Sequence, residues 1–237
     1  MKNKTFGVIG AMESEVAQLR AALSNAETKE YSGLIFYSGI LGENRVVLVK
    51  SGIGKVNAAR CTQILIDQYA PDYVINTGIA GGIGEGLAVA DVVIGAELVQ
   101  HDFDVRAFGY ARGNLCEPGH RDTPTVFRSD ETLIEAFRAA ASSLLDPRRV
   151  KTGRIATGDL FVASAEAKRD IAGAFGAVAA EMEGGAIAQV AALAGVPFVV
   201  LRAISDLADG SSPASFDAFE RETADLSASI LRKLIAG

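Results

Sequence analysis

The stretch Ala177–Asp209 constrains the fold of this chain more strongly than any other. It contains two unbroken apolar runs, Ala177–Ala180 and Pro197–Leu201, and such runs are typical of strands that are covered on both faces. Between them, the alanine-rich segment Gly184–Ala194 has its larger apolar residues at helical spacing and stops at Gly195. The pattern predicts a strand-helix-strand unit whose two strands run parallel in a buried sheet.

A group of mostly polar residues follows the two predicted strands, at the edge where open α/β sheets bind ligands. The group consists of Glu181, Met182, Glu183, Arg202, Ser205 and Asp206. Each also has a structural explanation, since a helix dipole favours Glu183 at a helix start and Arg202 can form a rim ion pair with Asp206. Two acidic strand ends in one crevice nevertheless repel each other and raise at least one pKa toward neutrality. We therefore expect acid-base chemistry at this edge.

Composition limits the number of domains and the kind of partner. The chain has 237 residues with 49% hydrophobic content, and no Pro/Ser-rich or charged linker divides it, which predicts a single domain over residues 1–237. A net charge of −6 argues against nucleic acid or an anionic membrane surface as partner, because both need concentrated Lys and Arg. A neutral nucleoside remains a possible ligand.

Cysteine and histidine usage indicates the compartment and the absence of a metal. The two cysteines, Cys61 and Cys116, form no disulfide framework and suit a reducing cytoplasm. The two histidines give no zinc pattern, so we expect neither a metal nor another cofactor. Glu13 and Glu15 interrupt the first apolar run, and we therefore expect a cytoplasmic chain that is neither exported nor inserted in a membrane.

Strand and helix patterns alternate along the rest of the chain, which predicts an α/β sandwich with a largely parallel sheet. The predicted strands are Thr5–Gly10, Leu34–Ser38, Arg45–Lys50, Tyr73–Gly78, Asp91–Val99 and Arg154–Thr157. The predicted helices are Ser14–Leu23, Lys55–Ala70, Asp130–Leu145, Glu166–Phe175 and a last one from Ser215, after a turn over Asp209–Pro213. The second and third strands read as a hairpin, which adds antiparallel pairing.

Two glycine-rich segments resemble phosphate-binding loops, but neither fits. At Ser51–Lys55, Val49 and Val56 occupy the places where a P-loop needs Gly and then Ser or Thr. In the segment Asn76–Gly82, the dinucleotide pattern fails because Leu87 stands where Gly is required. The second segment can still approach a sugar or a ring closely, and Ala80 and Gly81 are therefore candidate substrate contacts.

The segment Gln100–Thr125 has no clear helical or strand period, and a loop of that length is usually functional or part of an interface. Its aromatic residues, Phe103, Phe108 and Tyr110, favour packing against a ligand or a partner. Phe161 follows a predicted strand end, where it can stack on a flat ring, although a lone Phe is more often part of a core.

Seven motifs in order resemble one family. They are G-A-M-x-x-E at Gly10–Glu15, K-S-G-I-G-K at Lys50–Lys55, N-T-G-x-A-G-G at Asn76–Gly82, D-x-x-A-F-G-Y ending at Tyr110, G-D-x-F at Gly158–Phe161, E-M-E at Glu181–Glu183 and R-A-I-S-D-x-A-D at Arg202–Asp209. Together they are similar to the 5′-methylthioadenosine/S-adenosylhomocysteine nucleosidases of the nucleoside phosphorylase superfamily. The resemblance implies a three-layer α/β/α sandwich around a mixed, largely parallel central sheet, and a homodimer.

The resemblance also implies a role for each matching residue. Asp206 corresponds to the general acid that protonates the departing adenine, Glu15 to the residue that activates water, and Glu183 to the residue that holds the ribose hydroxyls. Further substrate contacts are Met182 at the ribose, Phe161 and Val162 at the base, Glu181, and Arg202 and Ser205 in support. Met12, Ile53, Phe216 and, from the partner subunit, Val105 and Phe108 match the apolar pocket for the 5′-thio substituent. Ile79 departs from the family pattern, which has Ser there, and this removes a hydroxyl from the sugar side.

The chemistry of the bond agrees with this reading. Cleavage of a glycosidic bond to adenine places negative charge on the base and positive charge on the ribose, so the site needs a proton donor and a carboxylate at opposite ends. We expect a hydrolase, because Glu13 and Glu15 repel a phosphate nucleophile. The alternatives are a purine nucleoside phosphorylase, a 6-amino-6-deoxyfutalosine hydrolase and a non-catalytic adenosine-binding module.

Overall fold

Ten strands and six α-helices make up the regular structure of the computed structural model, which describes residues 1–117, 119–209 and 212–237. The strands are β1 (Thr5–Gly10), β2 (Ser24–Tyr31), β3 (Leu34–Leu41), β4 (Asn44–Lys50), β5 (Tyr73–Gly82), β6 (Val92–Gln100), β7 (Phe127–Arg128), β8 (Val150–Thr157), β9 (Ala177–Glu181) and β10 (Phe198–Asp206). The helices are α1 (Glu13–Ala22), α2 (Lys55–Tyr69), α3 (Glu131–Ser142), α4 (Ala165–Phe175), α5 (Gly184–Leu193) and α6 (Ser212–Ala236), with 3₁₀ turns at Arg106–Phe108 and Pro147–Arg149.

All strands belong to one mixed sheet, and β5 lies at its centre. Along one edge, β5 pairs in parallel with β1 near its start and antiparallel with β9 at Gly81 and Gly82. Along the other edge it pairs in parallel with β10, and β10 continues through β6 and β8 back to β9, so that these strands close a ring. From β1 the sheet extends outward through β4, β3 and β2.

Helices cover both faces of the sheet, which makes the fold an α/β/α sandwich. On one face α1, α3 and α6 pack on apolar residues such as Val8, Ile75 and Leu201. On the other face α2 and α5 pack on residues such as Ile9, Val74 and Val200. Neighbouring residues of one strand thus belong to opposite cores, as expected for strands covered on both sides. The predicted fold class is confirmed.

The strand-helix-strand unit differs from the prediction in direction. Because β5 runs antiparallel to β9 and parallel to β10, the strands β9 and β10 run in opposite directions, and they do not pair with each other. They meet at the carboxyl end of β5, where Gly81 is in register with both Ala180 and Asp206. The prediction of two parallel strands was therefore wrong, although both strands and the helix between them exist.

Several element ends also differ from the prediction. β5 continues to Gly82 and β10 to Asp206, so the predicted glycine turn and the residues Arg202 and Ser205 belong to strands. Strand β2 was missed because its sequence, SNAETKEY, is polar and lies exposed at the sheet edge. Helix α6 begins at Ser212, and Gly210 and Ser211 of the predicted turn lie outside the described residues.

The described part of the chain has neither a membrane-spanning helix nor a cluster of metal ligands. None of its helices is long and apolar enough to cross a membrane. It also contains no group of three or more His, Cys, Asp or Glu side chains placed to hold a metal ion.

Candidate active site

A cavity with about 630 Å³ of free space, part of it open to solvent, lies at the carboxyl ends of β1, β5, β9 and β10. It is lined by Ala11, Met12, Glu15, Ile53, Ile79, Ala80, Gly81, Leu160, Phe161, Val162, Ala180, Glu181, Met182, Glu183, Ser205, Asp206 and Phe216. Two of the acidic groups end β9 and β10, the other two lie at the starts of α1 and α5, and the segments before α2, after β8 and in α6 supply the larger side chains of the outer apolar wall. The cavity thus brings together most residues that the sequence predicted for the site.

Three predicted site residues do not line the cavity. Arg202 lies behind it and is only 1% exposed. Val105 and Phe108 lie on the loop after β6, and the Phe108 side chain is 75% exposed. Conversely, sequence reasoning missed Ala11, Leu160 and Ala180, which are small or apolar residues next to predicted ones and carry no signal of their own.

Glu15 is a buried carboxylate at the start of α1 that receives three backbone N–H groups. Its Oε2 accepts from Ala11 at 2.6 Å and from Met12 at 2.9 Å, and its Oε1 accepts from Ile79 at 3.2 Å. Burial raises the pKa of Glu15. Arg202 and the three amides lower this pKa, but their effect is smaller than that of burial. Such a carboxylate is suited to accept a proton.

Ile79 therefore supports Glu15 through its backbone, although it has no side-chain hydroxyl. Its side chain is 8% exposed and adds apolar surface to the cavity wall beside Glu15. Gly78 precedes it in β5, and a methyl group at that position would lie 2.5 Å from Glu15 Oε1. The strand can approach the carboxylate only because residue 78 has no side chain.

Glu181, which lines the cavity, forms a buried ion pair with Arg202 behind it. The Glu181 carboxylate also accepts from the Thr157 hydroxyl and from the amides of Glu183, at 3.0 Å, and Gly184, at 2.7 Å. A second Arg202 bond goes to Asn76 Oδ1 on β5. Arg202 thus pairs with Glu181 and not with Asp206, which corrects the rim ion pair considered from the sequence.

Among the described residues, Glu183 has one donor, the Gly54 amide, at 2.7 Å from its Oε1, and in this it differs from Glu181. Burial, and then repulsion by Glu181, raise the pKa of Glu183 to about 8, against smaller opposing effects of Arg202 and the Gly54 amide. The sequence predicted repulsion between the acidic ends of two strands, but the pKa of Glu183 is raised first by burial, then by Glu181 in the same segment and, more weakly, by Glu15.

Asp206 ends β10 and is 1% exposed. Its Oδ2 accepts from the Ser205 hydroxyl at 2.9 Å, and its Oδ1 accepts from the Ala208 amide at 2.8 Å. Ala208 has φ of 49°, which turns the chain back so that its amide reaches the carboxylate. These two donors fix the orientation of Asp206 in the cavity wall.

The apolar wall contains two aromatic rings in contact. Phe161 and Phe216 meet edge to face, with ring centroids 5.7 Å apart and an interplanar angle of 88°. Phe161 remains 43% exposed, whereas Val162 beside it is buried. Ile53 lines the mouth of the cavity and is 52% exposed. The arrangement offers a flat apolar surface to a ring.

Comparisons with known proteins identify the class of this fold and site. Residues 5–236 match the family model of the phosphorylase superfamily. A 5′-methylthioadenosine/S-adenosylhomocysteine nucleosidase of Geobacillus kaustophilus (strain HTA426) is 46% identical over 230 residues, which are 97% of this chain and 95% of that relative. The chain therefore belongs to the phosphorylase superfamily and, within it, to the 5′-methylthioadenosine/S-adenosylhomocysteine nucleosidases.

Solved structures agree with this assignment. The nucleosidase of that name from Neisseria meningitidis, in complex with methylthio-immucillin-A, has a TM-score of 0.92 and 45% identity, covering 98% of this chain and 99% of that chain. A futalosine hydrolase mutant of Helicobacter pylori strain 26695 has a TM-score of 0.90 and 32% identity, covering 98% of both chains. The family resemblance and the predicted enzyme class, a hydrolase acting on N-glycosyl bonds, are confirmed.

Proposed function

We propose that this protein hydrolyses the N-glycosidic bond of 5′-methylthioadenosine and of S-adenosylhomocysteine, releasing adenine and the 5′-thioribose product. In this proposal Asp206 protonates the departing adenine, Glu15 activates the attacking water, and Glu183 binds the ribose hydroxyls. The observation that carries the proposal is the cavity itself, where these three buried carboxyl groups share one chamber with an aromatic wall. Acid-base assistance of this kind contributes about 10²–10⁴-fold per group.

The charge of the cavity wall favours water over phosphate as the nucleophile. The described residues that line it include Glu15, Glu181, Glu183 and Asp206 but no Lys, Arg or His. A phosphate ion would meet carboxylates without a cationic contact in the wall, whereas neutral water is not repelled. This supports a hydrolase over the purine nucleoside phosphorylase alternative.

The raised pKa of Glu183 fits a reaction that creates positive charge on the ribose. Near neutral pH Glu183 holds a proton in the unliganded protein, since its pKa is about 8. Ribose hydroxyls that donate to its carboxylate, and positive charge that develops beside it, favour the ionised form. The stabilisation therefore grows as the glycosidic bond breaks, which is the condition for catalysis.

The pocket for the 5′ substituent determines the substrate ranking. Met12, Ile53 and Phe216 give it an apolar wall, and desolvating a methylthio group there is favourable by roughly 1–2 kcal/mol at ~25 cal/mol per Å². The zwitterionic tail of S-adenosylhomocysteine must reach solvent or find partners, because burying an unpaired charge is costly. We expect methylthioadenosine to have the highest kcat/KM, ahead of S-adenosylhomocysteine and of 6-amino-6-deoxyfutalosine.

A homodimer in the cytoplasm completes the proposal. Phe108 is 75% exposed and lies outside the cavity of its own chain, so it is available to close the pocket of a second copy together with Val105. Both cysteines are free, with Cys61 buried and Cys116 exposed, which suits a reducing compartment.

The test is adenine release from purified protein, with the three nucleosides compared by initial rates. We expect release from all three at different rates, with methylthioadenosine first by kcat/KM. Tight binding of methylthioadenosine without adenine release would favour the non-catalytic binding module instead. A clear preference for 6-amino-6-deoxyfutalosine would make this chain functionally closer to the futalosine hydrolases that it also resembles.

A further inference from the structure

Three segments around the cavity mouth are tied together by Asp102, which lies outside the cavity wall. Asp102 Oδ1 pairs with Lys55 Nζ at 2.6 Å, and its Oδ2 accepts from the Asp159 amide at 2.9 Å. Asp159 Oδ1 in turn accepts from the Lys55 amide at 2.8 Å. We call Lys55, Asp102 and Asp159 the mouth triangle. It joins the loop after β6 to the start of α2 and to the loop after β8.

The mouth triangle lies next to the groups that hold both ends of a substrate. Lys55 follows Gly54, whose amide donates to Glu183 Oε1 at 2.7 Å. Asp159 precedes the segment that carries Phe161 and Val162. Gly54 has φ of 96°, and a methyl group there would lie 3.0 Å from Asp159 Oδ1, so this contact is closely packed as well as hydrogen-bonded.

The contacts of Asp102 are less exposed than those of an ordinary surface ion pair. The side chains of Lys55 and Asp102 are only 19% and 28% exposed, and Gln100 Oε1 accepts from Lys55 Nζ at 3.3 Å. Burial alone would raise the pKa of Asp102, but the Lys55 ammonium and the Asp159 amide outweigh it and hold that pKa below its usual range. Partly buried networks of this kind hold their members in one geometry.

We propose that Asp102 is a positioning residue: through Lys55 and Asp159 it fixes the Gly54 amide on Glu183 and the Phe161–Val162 wall in one relative arrangement. The ribose end and the base end of the cavity are thereby held at the spacing that the substrate requires. This inference rests on the proposed function, which identifies one end of the cavity as the ribose end and the other as the base end. It assigns Asp102 no contact with substrate.

The chain offers a matched control for Asp102. Asp72 also pairs with a lysine through Oδ1, to Lys4 Nζ at 3.0 Å, and also accepts a backbone amide through Oδ2, from Thr5 at 2.8 Å. It lies at the amino ends of β1 and β5, whereas the cavity is at their carboxyl ends. Asp72→Asn therefore removes the same two kinds of contact, a lysine ion pair and a backbone-amide hydrogen bond, at a position away from the site.

Kinetics of Asp102→Asn and Asp72→Asn with methylthioadenosine test the proposal. For Asp102→Asn we expect kcat/KM to fall by about 10- to 100-fold, mainly through a higher KM, since loss of positioning weakens both ends of the site. The apparent pKa that Glu183 contributes to the pH profile of kcat/KM should also rise. The reason is that the Gly54 amide stabilises the ionised form of Glu183 in the parent. Asp72→Asn should change neither quantity.

A second variant and a measurement that does not depend on enzymatic activity complete the test. Lys55→Met should resemble Asp102→Asn, and the double variant should lose less than the sum of the two, because both changes break the same link. Hydrogen exchange should increase in residues 51–55 and 158–163 of Asp102→Asn and not of Asp72→Asn. If the parent protein releases no adenine but hydrogen exchange in Asp102→Asn increases as expected, the proposed function is wrong, and the positioning role of Asp102 is still supported.

The proposal is overturned if Asp102→Asn matches Asp72→Asn in KM, in the pH profile and in hydrogen exchange. It is also overturned if Asp102→Asn lowers only kcat, with KM unchanged, because that result indicates a smaller fraction of folded protein and not a displaced site.

Discussion

At the scale of single residues, hydrogen-bond donors distinguish two neighbouring glutamates. Glu181 accepts hydrogen bonds from the Thr157 hydroxyl, the Arg202 guanidinium and two backbone amides. Because these bonds occupy its carboxylate, we assign Glu181 the role of holding the β9–α5 turn and the Arg202 guanidinium in place. Glu183 receives one amide and keeps lone pairs for a ligand. The sequence predicted the acidic cluster but not this division, because it depends on which donors the other strands bring to each carboxylate.

Asp206→Asn should reduce kcat for methylthioadenosine by about 10²–10⁴-fold, the contribution expected of a general acid. Binding should remain close to parental, since the amide keeps a hydrogen bond to the base but delivers no proton. Single-turnover adenine release and equilibrium binding, measured on the same preparation, check the two halves. Turnover near the parental value would show that Asp206 is not the acid.

Glu15→Gln should also remove most turnover, because the amide cannot take a proton from water. Its Oε1 can still accept one backbone N–H, so we expect the variant to fold and to bind methylthioadenosine. The rate of adenine release across pH 5–9 is the measurement. Retained activity with a parental pH profile would exclude Glu15 as the group that activates water.

Glu183 should make the unliganded protein less stable as pH rises. Its folded pKa of about 8 lies above the ordinary value of 4.5, so between these values the folded state keeps a proton that the unfolded state has lost. Its contribution to the free energy of unfolding is therefore complete below about pH 4.5 and falls by up to ~1.4 kcal/mol per pH unit toward pH 8.

Urea unfolding of the parent and of Glu183→Gln from pH 4.5 to pH 8 tests this effect, because groups that do not interact with Glu183 titrate alike in both proteins. The difference in stability, parent minus variant, should decrease as pH rises. A constant difference would mean that the Glu183 pKa is close to its ordinary value.

At the scale of elements, the buried strands and amphipathic helices followed from the sequence, but their ends and directions did not. The runs that predicted β9, α5 and β10 are present, since unbroken apolar runs between glycines and prolines leave few alternatives. β10 nevertheless extends through Arg202 to Asp206, because Glu181 and Asn76 accept from Arg202 Nη2 and so offset part of the cost of burying the guanidinium. Local sequence contains no information on such partners from distant strands.

In the proposed homodimer, Phe108 contributes to the pocket of the second copy and not to that of its own chain. We expect Phe108→Ala to raise the KM for methylthioadenosine by removing one wall of the neighbouring pocket, with a smaller effect on kcat. Leu193→Ala is the control, because Leu193 is also exposed, at 81%, and does not line the cavity. Sedimentation of both variants shows whether association changes. An unchanged KM for a dimeric Phe108→Ala would remove this loop from the site.

At the scale of the whole molecule, closure of the sheet assembles the site. β5 contacts β1, β9 and β10, and through these contacts Glu15, Glu183 and Asp206 reach one cavity from distant parts of the chain. The family resemblance predicted this grouping, whereas spacing alone predicted only the group of residues at and after the ends of β9 and in β10. The single domain over residues 1–237 and the homodimer stay predictions.

The most direct test of the account is the fate of water oxygen during cleavage of methylthioadenosine in phosphate-free buffer. With oxygen-18 water, we predict stoichiometric release of adenine and one oxygen-18 atom in the anomeric hydroxyl of the methylthioribose product. An absolute requirement for phosphate, with a sugar phosphate as the product, would contradict the account.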